Sequence, residues 1–338
     1  MADTTGLLVT VLSSIGDRLG LFKNLAREGP ATSVELAERM HVNERYAREW
    51  LRAMACAGYL EYEPASQRFT LPAEHVPVLA DEGGASFFCG VQEEMVGFAG
   101  PINQLMRAFR NGGGLTMDSY DPSTWEGQAR FAVTWYEHLL VPVWLPLMPE
   151  VIAKFESGAL VADVGCGGAG ELIKLAQTYP LSRFCGYDNF APAIQKAEAN
   201  ARAAGVADRV SFEEKDVSEG LTDKYDVITT FDVVHDAISP RKLLRAIHDG
   251  LRHDGRYVCV EVNSSDKFEE NIGPQGAFLY SCSLLFCMPT SLANSGEGLG
   301  TAGLPEAKMR ELCREAGFTM IRRVEMDDSF NALYEMAP

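Results

Sequence analysis

The sequence has no C-x-x-C pair and no zinc-type spacing, although it carries eight cysteines among its 338 residues. They are scattered at 56, 89, 166, 185, 259, 282, 287 and 313, several of them inside strand or helix patterns. Reduced, packed thiols are therefore expected, and no metal. An internal repeat is also lacking. Basic residues are the minority, since 30 Lys and Arg face 47 Asp and Glu for a net charge of −17. Such a surface favours solubility and works against a phosphate-backbone partner. Met1–Leu12 lacks the pattern of a secretory leader, and no apolar run looks long enough to span a bilayer. The expectation is a cytoplasmic chain that takes neither a membrane nor nucleic acid as partner.

What is present is an apolar run, Leu160-Val161-Ala162-Asp163-Val164, followed by Gly165-Cys166-Gly167-Gly168-Ala169-Gly170 and a helical pattern from Glu171. The run is too short for a helix and has the composition of a buried parallel strand. Gly165, Gly167 and Gly170 let the backbone turn sharply and approach a ligand. A lone G-x-G-x-x-G also suits nicotinamide and flavin enzymes. Three acids sharpen it. Asp163 at the strand tip would repel a pyrophosphate but suits an ammonium group. Asp188 ends the next strand, Phe184–Asp188, where it can accept from both ribose hydroxyls. Asp216 ends a third strand, placed to accept from an adenine amino group. A nucleoside with an ammonium tail and no phosphates is S-adenosylmethionine (SAM). Here the sequence resembles the class I SAM-dependent methyltransferases, with their first motif at 161–170.

From 158 onward strands and helices alternate, as in a parallel sheet with crossover helices. Asp226–Asp232 reads as the fourth strand and Tyr257–Val262 as the fifth. Leu304-Pro305 opens a helix that Gly317 stops, and a last hairpin spans Thr319–Met336. The fold class is α/β: a Rossmann-like class I methyltransferase sheet with a late antiparallel hairpin, plus an N-terminal winged-helix/helical domain. Upstream, Gly6–Ala26 predicts one amphipathic helix, and Thr32-Ser33-Val34-Glu35 is a capping box. Asn43 caps a third helix, with Tyr46, Trp50, Leu51 and Met54 on one face. A hairpin over 59–71 completes a winged helix-turn-helix. Residues 1–80 hold eight basic and ten acidic side chains, which suits dimerisation better than DNA reading. The expected domains are 1–80 (winged helix, dimerising), 81–150 (helical aromatic linker or lid) and 151–338 (SAM-binding). Val141–Pro149 reads as a hinge, and Asn263–Leu304 as a long insertion serving as lid or dimer interface.

The whole chain resembles one bacterial group of these enzymes, the Rv2258c-like set. The resemblance rests on Leu19-Gly20-Leu21-Phe22, Asn43-Glu44-Arg45-Tyr46, Trp125-Glu126-Gly127-Gln128, Phe231-Asp232-Val233-Val234-His235-Asp236 and Cys287-Met288-Pro289-Thr290-Ser291-Leu292. It implies that Asp163, Gly165, Gly167 and Gly170 hold the methionine end of SAM. Asp188 and Asn189 would serve the ribose, Asp216 and Val217 the adenine, and Phe231 would wall the site. Gly168 departs from the bulkier residue of many relatives. A homodimer acting on a small molecule is implied.

For a nucleophile that carries a proton, His235 beside Asp236 is a candidate base, as is His138, with Tyr136 nearby in sequence. A thioether acceptor needs no base. Similarity to the bacterial S-methyltransferases of dimethylsulfoniopropionate synthesis suggests 4-methylthio-2-hydroxybutyrate, converted to a sulfonium. Trp135 could then face the cation and Arg130 or Tyr280 anchor the carboxylate. The alternatives are an O- or N-methyltransferase and a SAM-sensing transcription regulator.

Overall fold

Thr32 and Glu35 form the reciprocal cap read from the sequence, each side chain accepting from the other's backbone amide, and helix Ser33–Met40 starts there. The structure, a computed structural model, describes residues 1–338. The chain divides into two units, Met1–Gly100 with Tyr120–Glu137 and Pro101–Ser119 with His138–Pro338. In the first, helices Ala2–Arg18, Leu21–Glu28, Ser33–Met40 and Glu44–Cys56 precede a hairpin of β1 (Glu61–Glu63) and β2 (Arg68–Thr70). Phe22 meets Trp50 edge-on at 5.0 Å inside a core of Leu21, Leu36, Leu51 and Met54. The single helix expected over Gly6–Ala26 is two, because the chain breaks at Leu19–Gly20. Tyr46 does not join the buried face of its helix; it is exposed, while Ala47 takes the inward position.

The second unit holds a seven-stranded sheet. Its strands are β3 (Leu160–Val164), β4 (Arg183–Asp188), β5 (Val210–Glu214), β6 (Tyr225–Phe231), β7 (Leu251–Val262), β8 (Met320–Val324) and β9 (Asn331–Ala337). They lie in the order β5-β4-β3-β6-β7-β9-β8. Pairs among β3 to β7 are parallel, and β9 runs antiparallel to both neighbours. Helices cover the sheet, so β3 reads as unbroken apolar sequence. The order reverses at β3 and β6, and the carboxyl ends of these central strands form the edge where such sheets place ligands.

The stretch expected as an insertion is largely helical. Pro274–Cys282, a π-helical turn Ser283–Cys287 and Met288–Leu292 run on from one another. Joined as Pro274–Ser295, they are long and apolar enough to cross a membrane by length and composition, with half of the most apolar window buried inside the protein. This corrects the expectation that no such run exists. Ser281, Ser283 and Thr290 interrupt the apolar residues and mask the run in the sequence. All eight cysteines are free thiols.

Arg130 is not available to anchor a substrate. From helix Ser123–Trp135 its guanidinium donates to both oxygens of Asp17 (2.6 and 3.0 Å), both of Glu82 (2.7 and 2.8 Å) and Glu93 (2.6 Å). It lies 5.2 Å above the Phe87 ring. Burial opposes the cation, but Glu82, Asp17 and Glu93 outweigh it and raise its pKa. The fork geometry of Arg suits it to tie several carboxylates at once. Substituting Arg130→Met should cost about 3 kcal/mol in urea unfolding, because the fully buried Asp17 loses its counter-charge. The hydrogen bond from Arg130 holds Glu82 down at about 2, from 4.5. Its stabilisation is complete above 4.5 and is lost as pH falls from there towards 2. Stability measured between pH 5 and pH 2 should show that loss in the wild type and a flatter curve in the variant.

Candidate active site

Beyond β3 the chain turns through Gly165 (φ 75°), Gly167 (φ 49°) and Ala169 (φ 62°) into helix Gly170–Thr178. The amides of Gly165 and Cys166 donate to the Tyr187 carbonyl at 2.7 and 3.0 Å. The Gly167 amide donates to Asp188 Oδ2 at 3.0 Å, and the Phe190 amide to Oδ1 at 2.9 Å. Asp188 therefore clamps the turn to the tip of β4. Asn200 adds a third tie, donating to the Gly168 carbonyl at 2.9 Å. A Cβ on Gly165 would come within 2.6 Å of Val233, whereas one on Gly167 would meet no atom within 4 Å. The space beside Gly167 is open to a ligand.

The acids around this turn fit an ammonium-bearing nucleoside. Asp163 is buried, its Oδ1 accepting from Thr229 while Oδ2 has no hydrogen-bond donor. Burial, then the buried Glu171 on the next helix, push its carboxyl well above the ordinary range. An ammonium group would supply the missing donor and remove that penalty. Burial also raises Asp188, partly offset by the Phe190 and Gly167 amides. Each Asp188 oxygen accepts one of these amides, which leaves lone pairs for ribose hydroxyls. Asn189 is exposed beside it, and Phe231 closes β6. Asp216 lies two residues past the end of β5 and caps the turn Val217–Glu219, accepting from the Ser218 amide at 2.9 Å. Val217 is buried behind it.

A second group of acids surrounds His235. The ring is buried, with Nδ1 donating to Glu261 Oε2 at 2.5 Å and Nε2 facing Asp236 Oδ1 at 3.1 Å. Glu261 is itself fixed, because Oε1 accepts from the Val234 amide at 2.7 Å. Burial disfavours the imidazolium, but Asp236 and Glu261 prevail and raise its pKa well above the ordinary value. With a carboxylate at each ring nitrogen the proton-bearing form of His235 is the favoured one, which counts against the free-base role the sequence suggests. Asp232, held at a left-handed φ of 56°, is pushed up to about 7 by burial. Burial and Asp236 raise the Cys287 thiol to about 12.

Among the other candidates, Trp135 ends its helix 5.0 Å edge-on from Phe131. Tyr136 begins the π-helical stretch Tyr136–Trp144, on which His138 is exposed. Tyr280 is exposed on helix Pro274–Cys282 and meets Phe268 at 5.9 Å. Sequence reading passed over Glu171, Asn200, Asp232 as a site residue and Glu261. Glu261 had a usable signal, being an acid within the apolar strand Val258-Cys259-Val260-Glu261-Val262.

Residues 7–81 match the family of Rv2258c-like winged HTH domains, and residues 155–287 match a methyltransferase domain family. Over 80 residues the chain is 35% identical to Methyltransferase ungE' of Aspergillus campestris, a stretch covering 22% of this chain and 23% of that one. The match thus spans less than a quarter of that curated relative. The solved structure of the mitomycin 7-O-methyltransferase MmcR covers 100% of this chain and 96% of its own, at 19% identity and a TM-score of 0.71. Human N-acetylserotonin methyltransferase in complex with SAM covers 99% and 95%, at 16% identity and a TM-score of 0.70. At such identities the likeness to both structures is one of fold. The chain therefore carries a methyltransferase domain, the fold of a SAM-dependent enzyme, behind an Rv2258c-like winged helix-turn-helix domain.

Proposed function

We propose that the protein transfers a methyl group from SAM to an oxygen atom of a small molecule. The observation that carries this reading is the glycine turn, with Asp163 Oδ2 lacking a donor on one side and the Asp188 clamp on the other. When bound, SAM supplies a methyl group already activated on a sulfonium. The chain's own task is to hold it, align the acceptor in line and exclude water. Asp163 takes the ammonium group and Asp188 with Asn189 the ribose. Asp216 accepts from the adenine amino group over Val217, and Phe231 walls the methionine end. Support for oxygen as acceptor comes from the mitomycin 7-O-methyltransferase, whose fold this chain matches along its whole length.

One observation favours a second reading. With a carboxylate at each nitrogen of His235, no free imidazole base is on hand there. A thioether such as 4-methylthio-2-hydroxybutyrate needs none, and Trp135 offers a face for the sulfonium product. For an oxygen or nitrogen acceptor, His138 and Tyr136 remain the candidate proton carriers. A sensor role in transcription has less support. On helix Glu44–Cys56, Arg45 pairs with Glu49 at 2.6 Å and Arg48 lies 3.5 Å from Glu44, which neutralises the face a DNA reader would present. The winged helix serves packing and homodimerisation in this reading, and the chain works in the cytoplasm.

Three measurements test it. Adenosylhomocysteine release should accompany methylation of a hydroxyl acceptor with a rate that climbs with pH, and a pH-independent rate on thioethers alone would favour the second reading. Gly167→Ala should cost only about 1 kcal/mol in stability, for the left-handed backbone, yet weaken SAM binding at least tenfold by calorimetry. Leu8 and Ile15 share an exposed stripe on the first helix, and Leu19 is exposed just past its end. Leu8→Glu with Ile15→Glu should halve the mass seen by light scattering.

A further inference from the structure

At the carboxyl ends of β6 and β7, Asp232, Asp236, Glu261 and the Cys287 thiol converge on the single imidazole of His235. The ligand atoms of Asp232, His235 and Glu261 all lie within 4.8 Å of one another. A second set, His235, Asp236 and Cys287, meets the same spacing. The side chains of Glu261 and His235 are 1% and 4% exposed. Asp232 Oδ1 is closed to solvent and has no hydrogen-bond donor. One imidazolium cannot answer three carboxylates, and buried charges are paired or coordinate metals. Asp232 and Asp236 keep partial access to solvent, which leaves a way in for an ion.

We propose that Asp232, His235 and Glu261 bind one divalent transition-metal cation, of the zinc or manganese class. The imidazole nitrogen selects such ions over calcium or magnesium, and the two carboxylates are donors that zinc and manganese also accept. Metal–ligand bonds of about 2 Å place neighbouring ligand atoms roughly 3–3.5 Å apart, so Asp232 needs only to close in and Glu261 to ease away from the ring. Binding displaces a proton from His235, which is released to solvent. Asp236 stays on the opposite nitrogen and orients the ring, as carboxylates behind metal-bound histidines do. The spacing of 232, 235 and 261 gave no metal signal in the sequence, because the third ligand arrives on a different strand.

The ion's role in turnover rests on the oxygen-acceptor reading, whereas its binding does not. A hydroxyl that reached the metal would give up its proton to water more readily, and its oxygen would then take the methyl group as the sulfonium S–C bond breaks, which supplies the activation that His235 does not offer.

The test uses the full-length, tag-free chain, dialysed against Zn2+ or Mn2+, desalted and analysed for metal. One equivalent should remain on the wild type, and Asp232→Asn should bind at least tenfold more weakly. With Co2+ as probe, the visible spectrum should show nitrogen ligation that the variant loses. Glu261→Gln carries the same test, with thermal melting to establish that each variant is folded. No retained metal, equal retention by Asp232→Asn, or a wild-type Co2+ spectrum without nitrogen ligation overturns the site. The last of these needs no variant. Hydroxyl methylation that is unchanged after chelation overturns only the role in turnover. Retained metal without any hydroxyl methylation supports the site and defeats the oxygen-acceptor reading.

Discussion

The sheet gathers carboxylates at the carboxyl ends of its strands, and the cost of burying them shapes everything around that edge. Asp163 on β3, Asp188 on β4 and Asp232 after β6 are all raised by burial. Each is met differently: by the Thr229 hydroxyl, by two backbone amides, and by a protonated imidazole close by. The glycine turn is thus the Asp188 counterpart as well as a ligand cradle. Its left-handed residues exist so that the Gly167 amide can reach that carboxylate. Turn conformation and acid ionisation are one arrangement, and a cation at Asp163 would offset the cost of burying that carboxylate.

That edge was partly legible in the sequence. Short apolar runs ending in an acid and followed by glycine announce a buried parallel strand and a turn, because both requirements are local. The Thr32–Glu35 cap and the late hairpin were legible for the same reason. Glu261 was not joined to His235, since twenty-six residues and a crossover helix separate them and only the β6–β7 pairing brings them together. Arg130 was misjudged on similar grounds. A lone arginine in an aromatic segment looks like a substrate anchor until its three carboxylates, at 17, 82 and 93, are folded against it.

Helix breaks were harder still. Nothing in the periodicity of residues 6–26 marks Leu19–Gly20 as a corner, because the apolar residues on both sides continue at helical spacing. The 264–303 stretch failed in the opposite sense. Its serines and glycines hide the helical content of the insertion, where the chain satisfies its backbone by running one helical turn type into the next.

The chain leaves and re-enters its first unit, crossing at 100/101, 119/120 and 137/138. Asp17 is made early and enclosed completely, but its guanidinium partner arrives 113 residues later. On the ribosome, Asp17 cannot be buried against its counter-charge until that segment emerges from the exit tunnel. A gene rearrangement that swapped the winged helix at a single joint near residue 100 would strand the same charge. Inheritance of the two parts together is written into that one delayed contact.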